Sequence, residues 1–227
     1  MDFRILFAGM AVWLAGCVSV SEPTIQTGVN AEIIGGKLHR VDNATMGIVY
    51  VDPDADFSRY SRVMVDPLGV DNVEIIQPGR SVASRASRDD WELDDRDRKA
   101  LQDTFANSMR INLEEKGDYP IVTQADDDVL RISAKLVSFA PNAPRDDARS
   151  RSIGRSRTYS EGFGTLSISI SFSDAESGEV LALVKDSKEG SNMWGVNNRA
   201  SNLGEVRFIF NSWARAIRAR LDIINGH

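Results

Sequence analysis

Five arginines, Arg145, Arg149, Arg151, Arg155 and Arg157, crowd into one short stretch of an otherwise acidic chain. A guanidinium binds phosphate or carboxylate through two parallel hydrogen bonds, so this stretch is the candidate anion- or partner-binding site. Lipid phosphates, lipopolysaccharide or an acidic envelope protein would suit it. The plain alternative is a solvated loop, with Asp146, Asp147 and Glu161 balancing part of the charge. The acidic run Asp89-Asp90-Trp91-Glu92-Leu93-Asp94-Asp95 suggests a divalent cation. It lacks the glycine and the alternating aspartates of a calcium loop, and acids just before a helix stabilise its dipole without any ligand. Asp126-Asp127-Asp128 reads as a turn between strands. No metal site and no cofactor is expected. The two histidines, His39 and His227, are poorly placed as bases, and no G-x-S-x-G elbow exists. The expectation is therefore that the chain is not an enzyme. A glycan or peptidoglycan hydrolase is the less favoured alternative, and it would need two carboxylates converging in a cleft. Gly162-Phe163-Gly164 has no phosphate-loop context, and Trp194 and Trp213 read as core or interface residues.

The only cysteine is Cys17, and it closes the sequence Leu14-Ala15-Gly16-Cys17. This resembles a bacterial lipoprotein lipobox. Small residues precede the scissile bond, and the thiol is the nucleophile that receives the diacylglyceryl group. The apolar run ILFAGMAVWL before it suits a signal peptide and is too short to span a bilayer. Residues 1–16 are thus expected to be a signal peptide and Cys17 the lipidation site, which makes the membrane the first partner. One acyl chain holds only marginally, but lipoproteins carry two or three, so anchoring would be permanent. Val18 follows, not Asp, which by resemblance to enterobacterial sorting favours the outer membrane, facing the periplasm. A lone cysteine also excludes an internal disulfide.

The side chains with chemistry need a scaffold, and the composition supplies one. With 42% hydrophobic and 26% charged residues the chain is neither disordered nor a multi-span membrane protein. Its net charge of −6 and its export signal argue against nucleic acid. Residues 17–43 are polar, with Pro23, Gly28 and Gly35-Gly36, and show no clean period. They read as a lipidated tether, with 31–34 as an optional short strand, and 44–227 as one domain. Strands are predicted over 48–51 and 61–65. An amphipathic helix over 94–116 starts at Asp94 and stops at Gly117, with one polar slip at Asn112 in its apolar stripe. Strands follow over 130–139 and 166–172, both alternating, then 180–185. The turn Asp174-Ala175-Glu176-Ser177-Gly178-Glu179 joins the last two as a hairpin. A final helix over 203–224 carries the stripe Val206, Phe210, Trp213, Ile217 and Leu221, with Asn202 and Glu205 as its capping box. The implied fold class is α+β, a mostly antiparallel sheet with two helices packed on one face.

Ala55-Asp56-Phe57-Ser58-Arg59-Tyr60-Ser61-Arg62-Val63-Met64-Val65-Asp66-Pro67 resembles the opening motif of the bacterial lipoprotein family called domain of unknown function 3313. Tyr119-Pro120-Ile121-Val122, Val129-Leu130-Arg131-Ile132, Ser177-Gly178-Glu179-Val180 and the terminal Trp213-Ala214 agree in order and spacing. The resemblance covers roughly residues 45 to 222. It departs at Ala125-Asp126-Asp127-Asp128, where the family tends to have a Gly-Pro turn. What it implies is a place in the envelope and a fold, with no established activity. The expectation is a lipid-anchored binding or assembly-accessory module, marked by an exposed apolar patch beside the arginine stretch. The alternative is a structural or stress-related lipoprotein with no ligand.

Overall fold

The computed structural model describes residues 22–78, 91–143, 159–191, 193–196 and 199–226. Cys17, the five arginines and the first two acids of the run at 89–95 lie outside them. Eleven strands and two helices follow one another among the described residues. The strands are β1 (Thr24–Ile25), β2 (Ile33–Ile34), β3 (Leu38–Asp42), β4 (Ile48–Val51), β5 (Arg62–Val65), β6 (Glu74–Ile75), β7 (Val129–Pro141), β8 (Tyr159–Glu161), β9 (Gly164–Asp174), β10 (Val180–Glu189) and β11 (Trp194–Val196). Helix α1 (Asp95–Met109) runs on through a π-helical turn at Arg110–Glu115, and α2 (Arg199–Asn225) ends the chain.

Nine strands form one sheet in the order β1-β3-β4-β10-β9-β7-β5, with β2 also on β3 and β6 also on β7. Only β5 and β6 run parallel to their partner β7; the other pairs are antiparallel. The connection from β5 to β7 passes through α1, as a parallel pair requires. The predicted α+β architecture is therefore present: a mostly antiparallel sheet with two packed helices.

Alternation builds the core. Leu130, Ile132, Ala134 and Leu136 on β7 are buried, as are Leu166, Ile168, Ile170 and Phe172 on β9, while the residues between them meet water. The α2 stripe of Val206, Phe210, Trp213, Ile217 and Leu221 closes over them. Phe105 of α1 meets Phe210 edge to face at 5.6 Å. The indole N–H of Trp213 donates to Asp186 Oδ2 on β10 at 2.7 Å, tying helix to sheet. Asn112, the polar slip in the α1 stripe, is buried and donates to Asn211 of α2 at 2.8 Å and to the Ser108 carbonyl at 2.8 Å. The slip is thus the polar contact between the two helices.

Two local expectations are corrected. Residues 24–42 were expected to be tether, with 31–34 as an optional strand; β1 and β2 pair with β3, β2 within that optional strand, and β3 pairs with β4 in the main sheet. Two-residue strands are too short to show a period of two. Gly117 follows the C-cap Lys116, where the sequence placed it, without a left-handed conformation. Its backbone has negative φ, and a Cβ there would come within 2.7 Å of the Leu113 carbonyl and 2.9 Å of Arg218 Cδ. Helix α2 begins before Asn202, so Asn202 and Glu205 are not its capping box. Glu205 instead accepts from the backbone N–H groups of Phe163 at 2.9 Å and Ser191 at 3.1 Å.

The β5 end of the sheet is finished by an irregular segment. Val63 donates to the Pro120 carbonyl at 3.0 Å and accepts from Val122 N–H at 2.9 Å, so residues 120–122 use up the outer bonds of β5.

Candidate functional site

Two parts of the family-like motif, far apart in sequence, meet at the β9–β10 turn. Asp56 accepts from Ser58 N–H at 3.0 Å and opens a single 3₁₀ turn over Phe57–Arg59. That turn delivers Tyr60 into the core, where its hydroxyl donates to Asp174 Oδ2 at 2.9 Å. Arg59 approaches the same oxygen at 3.6 Å and lies 5.2 Å above the Tyr60 ring. The other oxygen, Asp174 Oδ1, accepts from Ser177 N–H at 2.8 Å, Ser177 Oγ at 2.9 Å and Glu176 N–H at 3.1 Å. Gly178 completes the turn with φ +73°, a conformation that costs other residues a clash of Cβ with backbone. The Ser177 bonds hold the Asp174 carboxyl below the usual range, and burial, with Asp174 beside it, pushes Tyr60 up to about 12. Asp174 stays ionised and Tyr60 protonated at neutral pH. Every oxygen of the carboxylate is engaged, so this knot holds the fold.

Asp126, Asp127 and Asp128 do bring their carboxylates together, within 4.8 Å. Arg62 bridges two of them. It donates to Asp126 Oδ2 at 2.9 Å and to Asp128 Oδ2 at 2.8 Å, and Ser61 Oγ donates to Asp128 at 2.5 Å. Arg62 holds Asp128 down at about 2. The turn predicted here is a carboxylate clamp on the start of β5.

The ribbon formed by β8 and β11 has the opposite character. It stands apart from the main sheet, with Trp194 opposite Glu161 and Val196 opposite Tyr159. Met193 is 78% exposed and Trp194 71%. The ribbon is nonetheless held firmly. Gly162 crosses so near Ser191 that a Cβ would lie 2.2 Å from its carbonyl oxygen, and this close approach explains the first glycine of Gly162-Phe163-Gly164. Asn142 donates to the Glu161 carbonyl at 2.5 Å. Glu205 ties Phe163 and Ser191 to α2.

The described residues on either side of the arginine stretch are fixed as well. Trp91 meets Phe139 at 5.2 Å, and Phe139 stacks on Phe163 at 4.8 Å. The Trp91 indole donates to the Ala143 carbonyl at 2.8 Å, and the Gln77 side chain clasps the Trp91 backbone at 2.8 and 2.9 Å. Sequence reasoning missed Trp91, taking it as one member of an acidic run. Its partners Phe139, Ala143 and Phe163 lie roughly 50 to 70 positions away, so no local pattern announces them. The fold therefore joins the two edges of the arginine stretch, through Asn142 and Glu161, on the strand that pairs with Trp194. It does not bring Trp213 there, since Trp213 is core.

No helix among the described residues is long and apolar enough to cross a membrane. No curated protein matches the chain. Among solved structures, a PelC dodecamer from Paraburkholderia phytofirmans is similar over 76% of this chain and 97% of its own, at 12% identity and a TM-score of 0.38. Protein XCC0632 from Xanthomonas campestris is similar over 73% and 86%, at 9% identity and a TM-score of 0.42. The hypothetical protein CT253 from Chlamydia trachomatis is similar over 74% and 99%, at 9% identity and a TM-score of 0.41. Likenesses of this size carry no argument about what this chain does. The family model described as "Protein of unknown function (DUF3313)" matches residues 37–217, from the start of β3 into the last turns of α2, and the chain belongs to that family.

Proposed function

We propose that the protein is a lipid-anchored module of the bacterial cell envelope, held at Cys17 in the outer membrane and facing the periplasm, which binds an envelope partner through the β8–β11 ribbon. The observation that carries the binding reading is the exposure of Met193 and Trp194 on a ribbon tied down by hydrogen bonds, one strand of which begins two residues after the stretch bearing Arg145, Arg149, Arg151, Arg155 and Arg157. Aromatic anchors and arginines are both enriched in binding hot spots, and the arginine charge suits an anionic or acidic partner. The lipobox at 14–17 supports the address. The role is that of an accessory that recruits or positions another component, without catalysis of its own.

The test is crosslinking in living cells from a photoreactive residue at position 194, with position 223 on α2 as the remote control. A discrete adduct at 194, missing from 223 and lost when the five arginines become serine, is the expected result. The same adducts at both positions, or none at 194, would instead favour a free-standing structural lipoprotein.

A further inference from the structure

The segment expected to be tether is built into the sheet, and this changes how far the domain can stand from its anchor. The described residues begin at Glu22, and β1 pairs with β3 from Thr24 onward. Between Cys17 and Glu22 there are five residue steps. Five steps of chain reach at most about 18 Å, against a headgroup layer about 5–8 Å deep. An anchor at Cys17 therefore keeps the β1 end of the sheet within about 10 Å of the bilayer surface.

That end carries a group of exposed apolar side chains. Ile25 is 40% exposed, Ile33 is 44% exposed and Val29, between the two strands, is fully exposed. Ile25 pairs with Val41 and Ile33 with His39, two positions apart on β3, so both isoleucines project from the same face. Gly28, at φ +83°, and the bond from Ala31 N–H to the Gly28 carbonyl make the tight turn that puts Val29 at its tip. From 22 to 36 the chain has no basic residue and only two acids, Glu22 and Glu32, and Glu32 is engaged by the Tyr50 hydroxyl. This segment has no basic side chain of its own to draw it to anionic lipid, and apolar area to offer to acyl chains. We propose that the β1 edge, at Ile25, Val29 and Ile33, rests on the phospholipid leaflet that carries the Cys17 lipid, so that the domain lies against the membrane and does not hang from it. This rests on the proposed lipidation of Cys17.

With Cys17 acylated, a substitution Val29→Cys introduces the only free thiol. The lipidated full chain, labelled there with an environment-sensitive fluorophore, is reconstituted in vesicles of phosphatidylcholine and phosphatidylethanolamine with a nitroxide-bearing lipid. Ile223→Cys is the control. The α2 residues near it bond to Tyr119 and Lys116, which flank the segment covering β5, six strand spacings or about 29 Å from β1. The expected result is a several-fold loss of emission at position 29, unchanged in high salt, with position 223 unaffected. Vesicle-bound protein quenched at neither position overturns the proposal and leaves lipidation standing. A shifted emission at 29 with energy transfer between copies, and no quenching by lipid, also overturns it, since a second copy would then cover the edge. Absence of the acyl mass on the purified chain removes lipidation and this inference together.

Discussion

Trp213 sits on α2 with no exposed surface and hands its indole N–H to Asp186, whereas Trp194, on the β8–β11 ribbon, leaves 71% of its surface in water. Both environments are tied down by contacts. The core around Trp213 is held by Phe210 and the sheet, and the ribbon by Asn142, Gly162 and Glu205. The difference is in what the aromatic ring does once held. One ring fills space that water would otherwise have to leave, and its polar atom is satisfied. The other is kept out of the core by a scaffold that spends several hydrogen bonds on the ribbon beneath it. Stability resides in the first region, and the second has surface to give to a partner.

Substitutions can break that contrast. Trp213→Ala leaves a large cavity and removes the indole hydrogen bond to Asp186, and should destabilise the domain by about 3–5 kcal/mol in urea titrations. An unchanged midpoint would remove Trp213 from the core. The Tyr60–Asp174 knot is the next largest effect. Tyr60→Phe deletes one hydrogen bond to a charged, buried acceptor and should cost about 1.5–3 kcal/mol in the same titration. The knot also sets an acid limb. Asp174 has a folded pKa below its unfolded value, near 3.9, so its contribution is complete above about pH 4 and disappears as pH falls through the folded value. Asp174→Asn should flatten the loss of stability below pH 4, measured as melting temperature against pH; an acid limb as steep as wild type would assign it to other carboxylates. The smallest effect belongs to Trp194→Ser, which should shift stability by less than about 0.5 kcal/mol while abolishing the adduct formed from a photoreactive residue at the neighbouring position 193. A large loss of stability there would mean that Trp194 supports the fold, and the contrast would collapse.

Much of the scaffold was legible because it is periodic. The alternation of Leu166, Ile168 and Ile170, the turn ending at Gly178 and the α2 stripe through Trp213 are local signals, and each element lies where they pointed. Helix α1 begins after Asp94, whose side chain accepts from Asp97 N–H at 2.7 Å as the acidic start implied. What escaped was either too short or too long in range. Strand β1 has two residues, and only its pairing with β3 defines it, while β2 lies in 31–34, which the sequence offered only as an option. Tyr60 and Asp174 are 114 positions apart, and Asn112 and Asn211 are 99 apart. Glu205 looked like a capping residue because its spacing from Asn202 fits one, yet the backbone donors of Phe163 and Ser191 were the partners in reach. Of the candidate site, the arginines were picked out by charge and lie outside the described residues, while the exposure of Trp194 depends on a ribbon that no local pattern describes.

The two ends of the nine-stranded sheet have a consequence for crowding. At one end residues 120–122 occupy the outer bonds of β5; at the other β1 and β2 are two residues long and separated by the turn at Gly28. Neither offers a neighbour a run of free peptide groups, which is the template on which sheets of separate molecules fuse. Short, interrupted sheet ends of this kind, among the described residues, work against edge-to-edge joining between copies held close together on one surface.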